Sequence, residues 1–163
     1  YNHNCPMPNG LATTRDMEAI ESTARIAAQE ASKAGIQWTF SPMVDISRDP
    51  RWGRVSEGGG EDPFLGGEIA KAMVRGYQGD NTFSDNSHIL ACVKHFALYG
   101  ASESGRASNT LVICTVLTPI AYLSPYTVSL PACPATLMPA FHATTCLPFP
   151  PTSSLLHYVL LAP

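Results

Sequence analysis

Two groups of residues in this chain have the types and spacing to do chemistry. Asp45, Arg48, Asp49, Arg51, Arg54 and Glu57 crowd into one loop that follows the apolar stretch Ile36 to Val44. Lys94 and His95 lie near the end of a second apolar stretch, Ile89 to Phe96. Side-chain alternation along a strand turns one member of a Lys-His pair inward, and a buried charge without a partner is costly. Something polar should meet it, and a strand end at a loop-rich face is where ligand-binding groups gather. The loop charges carry a different expectation. Arg and Asp so near one another tend to shape a loop through mutual ion pairs and hydrogen bonds, and Arg48, Asp49, Arg51 and Glu57 are read that way.

The elements that must hold these groups follow from the pattern of apolar residues and breakers. Tyr1 to Thr13 contains Pro6, Pro8, Asn9 and Gly10 and reads as an opening loop. Thr14 can cap a helix with Asp16 and Glu18 in its first turn, where the helix dipole favours negative charge. Met17, Ile20, Ala24, Ala27 and Ala31 form its apolar stripe, and Gly35 stops it. Ile36 to Val44 is short, apolar and followed by breakers, so it reads as a buried strand. Asp62 followed by Pro63 starts a second helix, with Leu65, Ile69, Met73 and Tyr77 facing inward and Gly79 closing it. Ile89 to Phe96 is the second strand. Helix, strand, long loop, helix, strand implies parallel strands with crossover helices, an α/β sheet or barrel.

Composition narrows the classes. The chain has 163 residues and a formal charge of −3, which suits neither a basic nucleic-acid binder nor an acidic tail. No run of about 18 apolar residues is present to span a bilayer. The five cysteines form no CxxC pair and have no histidine at zinc-ligand spacing, so they are expected to be buried or incidental thiols. The chain begins with Tyr1, so any signal peptide would lie upstream. Gly58 to Gly60 lacks the phosphate-loop patterns and reads as a flexible turn. Trp38, Phe40 and Trp52 are expected in the core or a wall; Trp52, being in the loop, is the best candidate for a ligand-stacking surface.

Three words of sequence carry a family resemblance: SPMVDISRDPRWGRVSEGGGEDPFL (Ser41 to Leu65), YQGD (Tyr77 to Asp80) and VKHFALYGA (Val93 to Ala101). Together they resemble the amino-terminal barrel domain of glycoside hydrolase family 3, in its β-glucosidase and β-xylosidase branch. PMPNGLATTRD near the start fits the same branch, and FALYGA after KHF departs from the β-N-acetylglucosaminidase branch. The resemblance covers Tyr1 to Arg106. It implies a fragment of a (β/α)8 TIM-type barrel, because a whole barrel needs roughly 200 to 250 residues.

The resemblance also implies an activity, the retaining hydrolysis of terminal non-reducing β-D-glucosyl residues by the full-length enzyme. A β-xylosidase, or an inactive truncation with weak sugar binding, is the alternative. Arg54, Lys94 and His95 would bond the hydroxyls of the innermost sugar. Arg and Lys together carry about eight N–H donors, and such bonds can tighten as the ring distorts toward an oxocarbenium-like transition state. No cofactor or metal is implied, since two carboxylates about 5 Å apart suffice for the displacement. Those two, an Asp on a later strand and a Glu from beyond the barrel, are expected to lie outside this chain, and no Asp or Glu follows Glu103. Asp45 ends a strand and is the one carboxylate that position offers for catalysis, although the family pattern does not give it that task. The implied partners are a β-linked oligosaccharide or aryl glycoside and the remainder of the barrel and C-terminal domain, with no nucleic acid and no membrane. Acting on wall oligosaccharides would call for a secreted or periplasmic address.

Residues 107–163 stand apart. All ten Lys and Arg, all 13 Asp and Glu and all 12 glycines lie at or before Arg106, while nine of the 14 prolines lie after it. Prolines at that density argue against long helices and central strands. Only YLSPY (Tyr122 to Tyr126) and ATLMPAFH (Ala135 to His142) again resemble family segments. The expected domain organisation is therefore a partial barrel over 1–106 and an anomalous tail over 107–163. Reading-frame errors in the coding DNA would produce such a tail, and a divergent Pro-rich extension is the alternative.

Overall fold

The computed structural model of the chain describes residues 4–83, 86–101 and 118–140. Its first element, α1 (Pro8–Thr14), falls where an opening loop was expected. Pro8 sits in the first turn, where its fixed φ is preorganised and its missing N–H is no loss, so the same proline that suggests a loop starts a helix. Thr14 ends this helix and does not cap the next. The cap of α2 (Met17–Lys33) is Asp16, whose Oδ1 accepts the Ala19 N–H at 3.0 Å. Carboxylates are among the best N-caps because they accept an otherwise orphaned backbone donor.

Ile20, Ala24 and Ala28 are buried on α2, with Met17, Ala27 and Ala31 partly buried beside them. This face packs on α3 (Pro63–Gln78), which begins and ends as the sequence implies. Asp62 Oδ1 accepts the Leu65 N–H at 2.8 Å, and Gly79 closes the helix at φ +62°. The α2–α3 approach is set by small residues. A Cβ at Gly76 would collide with the Glu21 carbonyl oxygen and lie 2.6 Å from the Ala24 Cβ. Both obstacles belong to the facing helix and neither can swing away, so Gly76→Ala is expected to destabilise the fold by about 1–3 kcal/mol despite alanine's better helix propensity. Urea unfolding of the two proteins checks this, and a more stable variant would contradict it.

The strands are parallel. β1 (Cys92–Phe96) pairs with β2 (Thr136–Pro139) in the register Cys92↔Thr136, Val93↔Leu137 and Lys94↔Met138, with an irregularity before Phe96↔Pro139. On the other side of β1 runs the segment expected to be a regular buried strand. Its backbone alternates with that of 90–94: Leu90 N–H donates to the Gln37 carbonyl, Thr39 N–H to Leu90, Cys92 N–H to Ser41 and Val44 N–H to Lys94, all at 2.9 Å. It forms only two isolated bridges, Trp38↔Leu90 and Met43↔Lys94. Pro42 interrupts the run because it has no N–H to donate. Burial is displaced as well. Residues 42–47 are buried, while Trp38 is 46% and Phe40 52% exposed, so the expectation of core or wall fails for these two.

Between β1 and β2 the chain forms a further helix, α4 (Ser124–Ser129), packed on α3 so closely that a Cβ at Gly67 would lie 2.8 Å from the Val128 Cβ. Pro125 stands at the start of α4 and Pro139 at the end of β2, places where proline removes no needed donor. Each pair of neighbouring parallel strand segments is thus linked through a helix, α3 and then α4, as in successive βα units. No helix among the described residues is long and apolar enough to cross a membrane. Of the cysteines, Cys92 is buried and Cys5 and Cys133 are exposed, all three as free thiols; Cys114 and Cys146 lie outside the described residues.

Candidate functional site

The loop after residue 47 is held by its own charges. Asp49 accepts the backbone N–H of Arg51 at 2.9 Å and grips the Arg51 guanidinium at 2.9 Å (Nε) and 2.7 Å (Nη2). Hydrogen bonds from the Arg51 side chain and backbone hold the Asp49 carboxyl down at about 2. The expected mutual network is present for this pair. Arg48 departs from it and lies over the Tyr122 ring, 5.4 Å from its centroid. The turn then tightens through Trp52 N–H to the Asp49 carbonyl and Val55 N–H to the Trp52 carbonyl, both 3.1 Å. Those turns bury Trp52 and bring Arg54 back over the end of β1.

Arg54 is the centre of the arrangement. Its Nε and Nη2 donate to the two oxygens of Glu57 at 2.6 and 2.7 Å, and its Nη1 lies 3.0 Å from His95 Nε2. Lys94 reaches the same Glu57 carboxylate at 3.4 Å. The three residues expected to gather do gather: Arg54 touches His95 directly and shares Glu57 with Lys94. Tyr99 forms the wall behind them, edge-on to Trp52 at 5.5 Å and to His95 at 4.8 Å, with the Arg54 guanidinium 5.5 Å from its ring centroid. Glu57 raises the already high guanidinium pKa of Arg54 further.

Glu57 was expected to serve the loop; it does so through Arg54, and it also ties the loop to Lys94 at the end of β1. Hydrogen bonding from Arg54 lowers its carboxyl pKa, with a smaller contribution from Lys94. A lowered folded value means that the clamp is present above the ordinary glutamate range and is lost as pH falls below it. Glu57 is therefore expected to titrate with a midpoint below 4.5, its ordinary value, in a carboxyl-carbon NMR titration. A midpoint at or above that value would contradict the pairing.

Asp45, offered by position as a carboxylate for catalysis, is turned into the protein. It is 3% exposed, and both oxygens are engaged from within the protein: Oδ2 accepts the His95 backbone N–H at 2.9 Å and lies 2.9 Å from His95 Nδ1, while Oδ1 lies 3.1 Å from the Tyr126 hydroxyl. Tyr126 and Tyr99 are site residues that reading the sequence did not single out. Both lie inside family-like words, YLSPY and VKHFALYGA, which were the available signal. Trp52 is 1% exposed and walls the site from behind, so it is not open for stacking. An open depression of about 450 Å³ lies alongside, lined by Arg48, Asp49, Pro50, Arg51, Gly100, Ala101 and Tyr122, and none of Arg54, Lys94 and His95 lines it.

Residues 2–161 match the Glycosyl hydrolase family 3 N terminal domain. The chain belongs to glycosyl hydrolase family 3. It is 39% identical over 155 residues to a periplasmic β-glucosidase of Salmonella typhimurium, covering 95% of this chain and 20% of that protein. It is 33% identical over 106 residues to a periplasmic β-glucosidase/β-xylosidase of Dickeya chrysanthemi, covering 65% of this chain and 16% of that one. Among solved structures, the β-glucosidase of Listeria innocua in complex with gluconolactone superimposes with a TM-score of 0.93 at 42% identity, over 98% of this chain and 22% of that one. This glycosyl hydrolase chain therefore spans about a fifth of the length of these relatives, and its parallel βα units are part of a TIM-type α/β barrel.

Proposed function

We propose that this chain is the sugar-binding part of a β-glucosidase that cleaves terminal non-reducing β-D-glucosyl residues with retention. The observation that supports this most directly is the convergence of Arg54 and Lys94 on Glu57, with His95 on the remaining face of Arg54. A neutral sugar presents hydroxyls in many directions, and rigidly held charged donors bond them more strongly than neutral groups do. Because Glu57 and His95 fix the guanidinium plane, little side-chain entropy is lost on binding. Donors held in this way can favour the distorted ring of the oxocarbenium-like transition state over the relaxed sugar.

Retaining hydrolysis also needs a nucleophile and an acid/base about 5 Å apart, and Glu57 and Asp49 are already paired with arginines while Asp45 is buried. The chain alone is thus expected to bind without turnover. A periplasmic or secreted setting is part of the same reading, supported by the periplasmic relatives. A β-xylosidase is the second reading, supported by the dual name of the Dickeya relative, since xylose lacks only the C6 hydroxymethyl group.

Saturation-transfer NMR of the chain with methyl β-D-glucoside and methyl β-D-xyloside, alongside turnover of the matching aryl glycosides, tests these readings. Binding of the glucoside with no turnover is expected. Preference for the xyloside would favour the second reading. Turnover by this chain would overturn the assignment of the reacting carboxylates elsewhere, and binding of neither sugar would overturn the sugar-site reading.

A further inference from the structure

We propose that Asp45 is a positioning residue that, together with Arg54, locks His95 in the Nδ1–H tautomer and so turns Nε2 into a fixed acceptor for the sugar-site arginine. Each ring nitrogen of His95 has one close polar neighbour, and the two neighbours have opposite chemistry. An ionised carboxylate only accepts, so Asp45 Oδ2, 2.9 Å from Nδ1, requires a proton on Nδ1. A guanidinium only donates, so Arg54 Nη1, 3.0 Å from Nε2, requires a lone pair on Nε2. Both demands select one tautomer, the opposite of the one a free histidine side chain prefers in water. Which nitrogen is protonated is set by the bond the other makes.

The backbone of the same residue is held just as tightly. Asp45 Oδ2 also accepts the His95 N–H at 2.9 Å, and Tyr126 donates its hydroxyl proton to the His95 carbonyl at 2.7 Å. Burial, and then the charge of Asp45, push the Tyr126 phenol well above its ordinary range, so it stays a donor at neutral pH. His95 is therefore fixed at its N–H, its carbonyl and both ring nitrogens. Glu57 holds the other two nitrogens of Arg54, so the plane of the guanidinium is set from two sides. Asp45 acts on the sugar site through this relay, which gives a task to a carboxylate that is buried at a strand end and bonded from within the protein.

The inference deepens the sugar-binding reading, but its first measurement needs no sugar. Long-range ¹H–¹⁵N correlation of the ¹⁵N-histidine-labelled chain is expected to show His95 with a protonated Nδ1 and an unprotonated, strongly deshielded Nε2. Asp45→Asn should keep this pattern, because only with its carbonyl oxygen toward His95 does the amide avoid facing its NH2 to the His95 N–H. In Asp45→Ala only the Arg54 demand on Nε2 remains, so the Nδ1–H population is expected to fall below that of the wild type. Methyl β-D-glucoside is expected to bind Asp45→Ala about tenfold more weakly than wild type, with Asp45→Asn within a few-fold. Should Asp45→Ala fail to fold, the wild-type spectrum still decides. Nε2–H in the wild type, or an undiminished Nδ1–H population in a folded Asp45→Ala, overturns the proposal. The Nδ1–H tautomer in a chain that binds no sugar would uphold the relay and overturn only the sugar-site reading.

Discussion

Arg54→Ala is expected to abolish measurable binding of methyl β-D-glucoside. Among the described residues the guanidinium is the side chain that meets both Glu57 and His95. A hydrogen bond to a charged group contributes about 1.5–3 kcal/mol, so losing two to a ligand weakens affinity by roughly 10² to 10⁴. The loss has a second part. Without Arg54 the Glu57 carboxylate turns to Lys94 alone, drawing the ammonium away from ligand, and His95 Nε2 loses the donor that orders it. Arg54→Lys is expected to recover little, because an ammonium on a flexible stem cannot present a planar fork to Glu57 and reach His95 together. Titration calorimetry of the three proteins checks this, and an Arg54→Ala affinity within twofold of wild type would show that the sugar sits elsewhere.

What the sequence made legible here follows from how local each signal is. α3 was readable end to end because a cap, a first-turn proline and a terminal glycine stand in order around an apolar stripe. The stripe of α2 was readable for the same reason. Its start was misplaced because Thr14 and Asp16 are both acceptable caps, and only the presence of α1 decides between them. Arg54, Lys94 and His95 were legible through strand-end position and family words, although which partner each meets was not. The Asp45 side chain meets His95 and Tyr126, 50 and 81 residues away, and pairings over such separations are not encoded in one strand's composition. Tyr126 was the least legible. It enters the site from a region without charges, where only a five-residue family-like word marks it, and its contacts with Asp45 and His95 cross large sequence separations.

Trp52→Ala is expected to cost about 3–5 kcal/mol, enough to leave much of a marginally stable chain unfolded. Trp52 is among the largest fully buried side chains, and its neighbours cannot close on the space it would vacate. Tyr99 meets it edge-on at an interplanar angle of 89°. Gly100 lies so close that an added Cβ would be 3.3 Å from the Trp52 ring and would strike the Ile46 carbonyl oxygen, so backbone lies on that side. The indole also carries a penalty of its own, because Nε1 is buried with no hydrogen-bond partner among the described residues. An unsatisfied buried donor costs about 1–3 kcal/mol, which Trp52→Phe removes while keeping a ring against Tyr99. Phenylalanine is therefore expected to lose less than half of what alanine loses and to keep sugar binding, since Tyr99 still backs Arg54 and His95. Urea unfolding and sugar titration of both variants separate the contributions. An alanine variant within about 1 kcal/mol of wild type would mean that the loop is not anchored by this ring and that Arg54 is positioned by Glu57 and His95 alone.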